Sequence, residues 1–152
     1  DECRFGAAPE GNGSEPYVAI HLRRGTNPLN SNEPKYSENS FYIDLAQTDY
    51  YEKAMALFPN EKFLVFSDDQ EFAKNYFIGD EYEFDETKDP IEVLTRMSNC
   101  RSVICANSSM SWWAGFLCCP QENYKIVAPS AKNWYSDSSN ERTKCLKSWI
   151  RI

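Results

Sequence analysis

Short apolar runs alternate with helix-patterned segments along most of this chain, and that alternation constrains its fold more than any other feature. Tyr17 to Leu22 reads as a strand apolar enough to be central in a sheet. Asp49 to Phe58 reads as a helix, with Tyr50, Ala54, Leu57 and Phe58 at helical spacing and Pro59 just past its end. Lys62 to Phe66 is a second strand, and the Ser67-Asp68-Asp69 run after it caps a helix over about 69–76. Tyr82 to Phe84 makes a short strand. Asp89-Pro90 opens a helix through Met97, with proline in its first turn. Ser102 to Ala106 is a strand, Asn107-Ser108-Ser109 caps a helix through about Leu117, and Tyr124 to Ala128 is a last strand before Pro129. This order predicts an α/β fold, a Rossmann-like parallel sheet of about four to six strands with helices on both faces.

The remaining segments carry less pattern. Residues 1–16 read as a loose lead-in, so one domain over 17–152 is expected, within the size that buries a real core. Thr26 to Ser40 reads as a long polar loop with Pro28, Pro34 and four asparagines, the kind of loop that tends to be functional. The tail is polar, anchored by Trp134, Tyr135 and Trp149. Apolar residues make up 41% and aromatics 14%, which excludes a disordered chain. The formal net charge of −7 argues against nucleic-acid binding, which needs a basic face. No stretch suits a bilayer span and no signal peptide is visible. The chain starts at Asp1 without Met, as a trimmed or processed product does. An upstream region is therefore an expectation. The compartment is left open: the cytoplasm is favoured, with the Golgi lumen the alternative for a trimmed membrane-anchored protein. The cysteines at 3, 100, 105, 118, 119 and 145 do not fit zinc spacing, and no metal or disulfide framework is expected. Cys100 and Cys105 flank an apolar run and look like core thiols. Asn12-Gly-Ser and Asn107-Ser-Ser match the glycosylation sequon, a match common by chance.

In open parallel sheets, ligands bind beyond the carboxyl ends of the strands. Three polar clusters fall there: His21, Arg23 and Arg24; Ser67, Asp68 and Asp69; and Asn107, Ser108 and Ser109. His21 is the only histidine of the chain. Two guanidiniums at a strand end inside an acidic protein suggest a specific anion, since Arg meets phosphate oxygens bidentately. Otherwise they are surface arginines paired with carboxylates. Ser108 and Ser109 start a helix, whose free N–H groups and dipole favour phosphate. The plain alternative is an N-cap. Trp112 and Trp113 beyond them read as core. The aspartate pair has three readings: one carboxylate accepts from the N1 and N2 hydrogens of guanine, the two hold a divalent metal through phosphate, or one simply caps the helix. Guanine, two arginines and a serine-rich helix start together describe a guanosine diphosphate site, with the arginines standing in for a metal.

These segments resemble the α-1,2-fucosyltransferases, the family eleven glycosyltransferases. The resemblance rests on His-Leu-Arg-Arg-Gly at 21–25, Phe-Ser-Asp-Asp at 66–69, and Met-Ser-Asn-Cys-Arg at 97–101 leading into Ala-Asn-Ser-Ser-Met-Ser-Trp-Trp-Ala at 106–114. Tyr50-Tyr51 before Ala54, Lys125-Ile-Val-Ala-Pro and Trp134-Tyr135 add to it, so it covers about residues 17–135. The resemblance implies the nucleotide-sugar half of a GT-B-type enzyme that moves fucose from GDP-fucose to a sugar hydroxyl, with inversion and without a metal or other cofactor. It implies that Arg23 grips the β-phosphate, that His21 and Asp68 or Asp69 sit near guanine and ribose, that Ser108 and Ser109 bind phosphate, and that Arg24 supports the loop. The implied partners are a nucleotide-sugar donor, a glycan acceptor and an upstream acceptor domain. The chain departs from the family pattern at Thr26, where an acidic residue usually follows Arg-Arg-Gly, and it lacks the family's Gly-x-Gly-Asn half.

Inverting transfer requires a stabilised leaving diphosphate, an acceptor held in line and, where used, a base for its hydroxyl. Glu33, Glu38 and Asp44 are base candidates by location alone. The competing readings are a transferase of another nucleotide-sugar, a binding module that has lost catalysis, and a structural domain with no phosphate site.

Overall fold

Along the first strand, β1 (Glu15–Leu22), side chains alternate between two faces and both faces are buried. Val18, Ile20 and Leu22 enter one core, while Ala19 enters the other. Such a strand needs helices on both sides, and the computed structural model of the protein, which describes residues 15–27, 30–34, 36, 42–118, 124–134 and 145–152, has them. After β1 come β2 (Thr26–Asn27), β3 (Asn30–Pro34), a 3-10 turn (Leu45–Gln47), α1 (Tyr50–Met55), β4 (Phe63–Ser67), α2 (Gln70–Tyr76) and β5 (Tyr82–Asp85). The chain continues through α3 (Pro90–Ser98), β6 (Cys100–Ile104), α4 (Ser109–Leu117), β7 (Ile126–Ala128), α5 (Ala131–Trp134) and β8 (Ile150–Arg151). Six strands form one sheet in the order β5-β4-β1-β6-β7-β8. Every pairing in it is parallel. The chain runs outward from β1 through β4 to β5, then returns to β6 on the other side of β1. That reversal makes a crevice at the carboxyl ends of β1 and β6.

One face is covered by α1 and α2, whose Tyr50, Tyr51, Ala54, Ala73 and Phe77 pack on Val18, Ile20, Phe63 and Val65. The Tyr50 hydroxyl donates to the Cys105 carbonyl at 2.6 Å and the Tyr51 hydroxyl to the His21 carbonyl at 2.8 Å. Helix α1 thereby ties the ends of β6 and β1 from below. Burial raises both phenols well above their usual range, so they stay protonated donors. The other face is covered by α3 and α4, with Met97, Ala114 and Cys118 on Leu64, Phe66 and Val103. Gly115 lets α4 approach closely, since a Cβ there would press on Ile126, Trp149 and Cys105.

The α/β class and the sheet match the sequence expectation, and several boundaries do not. The predicted loop 26–40 contains a hairpin, Thr26 pairing with Pro34 and Asn27 with Asn30. Its segments lack apolar alternation, so no strand pattern marks them. The strand expected over 102–106 runs over Cys100–Ile104, and the one over 124–128 is cut to Ile126–Ala128. The tail adds β8, paired with β7 through Val127 and Ile150. Trp134 and Trp149 are buried anchors as expected, whereas Tyr135 lies outside the described residues. Trp113, expected in the core, is half exposed at 50%, while Trp112 packs on Trp149 and Phe116. Cys100 and Cys105 are buried free thiols, Cys100 pushed up to about 12 by burial, and so fill core space without nucleophilic character. Cys3, Cys119 and the Asn12 sequon lie outside the described residues, and Asn107 is buried, which closes the second sequon.

Candidate functional site

A cleft of about 760 Å³ opens where β1, β4 and β5 end and α3 and α4 begin. That volume lies within the range of small-molecule sites. His21, Arg23, Asp68 and Ser108, far apart in sequence, all line it. Ser67 lines it too, whereas Arg24, Asp69, Asn107 and Ser109 do not.

The strand alternation explains the division of the two arginines. His21 and Arg23 continue the face of Ala19, toward α3 and α4. Arg24 continues the face of Leu22, toward α2. There its Nη1 donates to both oxygens of Asp44 at 2.7 Å, and its guanidinium lies 4.0 Å from the Phe72 ring centre and 5.2 Å from that of Tyr36. The pair holds Arg24 against Asp44 on the α2 side, outside the cleft lining. Glu38 lies outside the described residues, as does the Glu33 side chain. Arg23 is partly exposed in the cleft wall and burial lowers its pKa, although a guanidinium stays charged at any physiological pH.

Asp68 lines the cleft and also holds the turn after β1. Its carboxylate accepts from the backbone N–H of Arg24 and of Gly25, each at 2.7 Å, and forms an ion pair with Arg23. It clamps the turn after β1 onto the end of β4. A Cβ at Gly25 would collide with the Arg23 guanidinium and the Asp68 carboxylate, so the bare glycine is what lets the pair close over the turn. Asp69 caps α2, accepting from the Phe72 N–H at 3.0 Å. Asp68 thus serves the turn after β1, and Asp69 the start of its own helix.

In the third cluster, Asn107 is buried and structural: its Nδ2 donates to the Ile43 carbonyl at 2.7 Å and its Oδ1 accepts from the Tyr36 hydroxyl at 2.8 Å. Ser108 is the N-cap residue of α4, yet its hydroxyl makes no capping bond, and the residue lines the cleft. Ser109 is exposed on the first turn, away from the cleft lining. The turn is held by Ser111, whose Oγ accepts from the Ala106 N–H at 3.0 Å and is fully buried.

Asp85, Thr87, Lys88, Pro90 and Val93 form the opposite end of the cleft. Buried Asp85 bonds Arg96 Nε at 2.5 Å, and this hydrogen bond raises the Arg96 pKa. Gln70 donates through Nε2 to the carbonyls of Ser67 at 2.9 Å and Asp85 at 2.8 Å, joining the ends of β4 and β5. Glu86 pairs with Lys74 at 2.6 Å. Among the described residues, no group of three His, Cys, Asp or Glu side chains is placed to hold a metal ion. Sequence reasoning missed Tyr36, Gln70, Asp85 and Arg96. Tyr36 stands in a polar loop and the other three in ordinary helix and strand patterns, so no local signal marks them.

A Rossmann-like sheet whose strand-end cleft offers a guanidinium and a helix N-terminus is the form of a nucleotide-binding domain. The family model of glycosyl transferase family 11 matches residues 1–152, and the chain belongs to that family. It is 33% identical over 147 residues to the alpha-1,2-colitosyltransferase of Escherichia coli, an alignment covering 89% of this chain and 47% of that protein. It is 29% identical over 143 residues to the O-antigen biosynthesis glycosyltransferase WbnK of Escherichia coli, covering 89% and 44%. The chain thus spans less than half the length of these curated relatives. No solved structure matches it significantly. Among the described residues no helix is long and apolar enough to cross a membrane.

Proposed function

We propose that this chain is the donor-binding half of an inverting GT-B-type glycosyltransferase that transfers fucose from GDP-fucose to a sugar hydroxyl. The observation that carries the reading is the convergence of Arg23 and Ser108, at the start of α4, on one cleft at the topological switch of the sheet. Arg23 and the first N–H groups of α4 take the diphosphate as negative charge builds on it. The base and ribose extend toward Asp85–Val93. The acceptor hydroxyl attacks the anomeric carbon, the bond from that carbon to the β-phosphate oxygen breaks, GDP leaves, and the hydroxyl proton passes to a base or to solvent. Thr26 occupies the position after Arg-Arg-Gly where the family carries an acid, so residues 1–152 alone are expected to bind GDP and transfer weakly. No metal or organic cofactor takes part in this reading. The partners are the nucleotide-sugar and a glycan, with neither nucleic acid nor membrane bound by this chain.

The test is calorimetric titration with GDP, ADP and UDP, followed by release of GDP from GDP-fucose with galactose-, fucose- and xylose-terminated acceptors. GDP binding much tighter than ADP or UDP is expected. Equal binding of the three reduces the site to phosphate recognition, and no binding removes the nucleotide reading. A second reading, transfer of another sugar from the same kind of donor, is favoured by one observation: a relative is named for colitosyl rather than fucosyl transfer. Turnover of a different GDP-sugar with none of GDP-fucose would select it.

A further inference from the structure

We propose that Tyr36 is the positioning residue of the anion site, holding the Arg23 turn and the Ser108 turn in fixed register from behind the cleft. The proposal rests on the donor-binding reading above. Arg23 and Ser108 are each followed or preceded in the chain by a residue that Tyr36 touches. On one side the Tyr36 ring lies over the guanidinium of Arg24, with its centre 5.2 Å away. On the other side the Tyr36 hydroxyl donates to Asn107 Oδ1 at 2.8 Å. The contacts then close into a ring. Asn107 Nδ2 donates to the Ile43 carbonyl at 2.7 Å, the next residue is Asp44, and Asp44 holds Arg24 Nη1 at 2.7 Å. Phe72, 4.0 Å beneath the same guanidinium, fixes the plane on which Tyr36 rests.

Tyr36 reaches both turns with one side chain. Strands β1 and β6 are neighbours in the sheet, but their pairing ends at Ile20 and Ile104, before either turn begins. Beyond that point each turn has its own tether, Asp68 for Arg24 and Gly25, Ser111 for Ala106. Neither tether reaches the other turn. A diphosphate held between Arg23 and the start of α4 needs both donors at one separation, because misplaced donors gain little in the bound state.

The test compares Tyr36→Phe and Tyr36→Leu with the unaltered protein by calorimetric titration with GDP and with GMP. Tyr36→Phe keeps the ring over Arg24 and removes the bond to Asn107. It should weaken GDP roughly threefold to tenfold, the span of one neutral hydrogen bond, while GMP changes less. Tyr36→Leu should lower the GDP-to-GMP preference further. An unchanged preference in both variants overturns the proposal, whatever happens to the melting temperature, since general loosening would weaken both ligands together. If the unaltered protein binds GDP and the preference does not move, only this proposal falls. If the unaltered protein does not bind GDP, the donor reading falls and takes the proposal with it.

Discussion

Helices α3 and α4 both begin at the same cleft, and their first turns are prepared in opposite ways. At α3 the Asp89 carboxylate accepts from the N–H groups of Ile91 at 3.1 Å and Glu92 at 2.9 Å, and Pro90 removes a further donor. The positive end of that helix is already answered by the chain's own anion. At α4 the cap position is Ser108, whose side chain makes no capping bond. Arg23 stands across the cleft from it. One helix start is satisfied internally, and the other keeps its donors for a ligand. The comparison assigns the anion to the α4 end and leaves the α3 end, with Pro90 and Val93, to the less charged part of a nucleotide.

Arg23→Ala breaks the comparison most directly. It should weaken GDP by roughly 1.5–3 kcal/mol, the range for hydrogen bonds to a charged group. Arg23→Lys should also lose affinity, since an ammonium does not reproduce the guanidinium fork. Unchanged affinity for either variant would move the anion away from α4. At the other helix, Asp89→Ala should cost about 0.5–2 kcal/mol of folding stability through the lost cap, read by urea unfolding, with little change in GDP affinity. A large loss of binding there would reverse the assignment of the two ends. Ser108→Ala should show the mirror result: GDP weaker by roughly 0.5–1.5 kcal/mol with an unchanged melting temperature. A stability loss without a binding loss would make Ser108 an ordinary cap. The smallest effect is expected from EDTA, which should leave GDP affinity unaltered, because Asp68 and Asp85 are already bonded to Arg23 and Arg96. A strong EDTA effect would restore the aspartates as metal ligands.

Much of the scaffold was legible in the sequence because its signals are local. Asp89-Pro90 marks a helix start through one carboxylate two and three residues from the N–H groups it caps. Val18 to Leu22 marks a strand buried on both faces through an apolar run interrupted only by His21. The hairpin at 26–34 and β8 were not legible, since their pairing partners, and not their own side-chain pattern, make them strands. Trp113 carried a misleading signal: its size argued for burial, and its place on the outer side of α4 left it half exposed.

Within the site, the sequence by itself determined which turns would carry polar groups, because alternating strand and helix periods put those groups at strand ends wherever the sheet is parallel. Only the tertiary structure decided which member of each group faces the cleft. Arg23 and Arg24 are equivalent as letters, and they part because β1 alternates faces and Asp44, twenty residues on, waits on one of them. Asp68 and Asp69 look like a ligand pair until the turn after β1 folds against β4 and uses Asp68 for its own N–H groups. Asn107 and Ser108 divide the same way, one turned inward to Tyr36 and Ile43, the other lining the cleft. Periodicity is a property of neighbouring residues and can be read along the chain. The partner that claims a hydrogen bond lies elsewhere in the chain, and only folding brings it into reach.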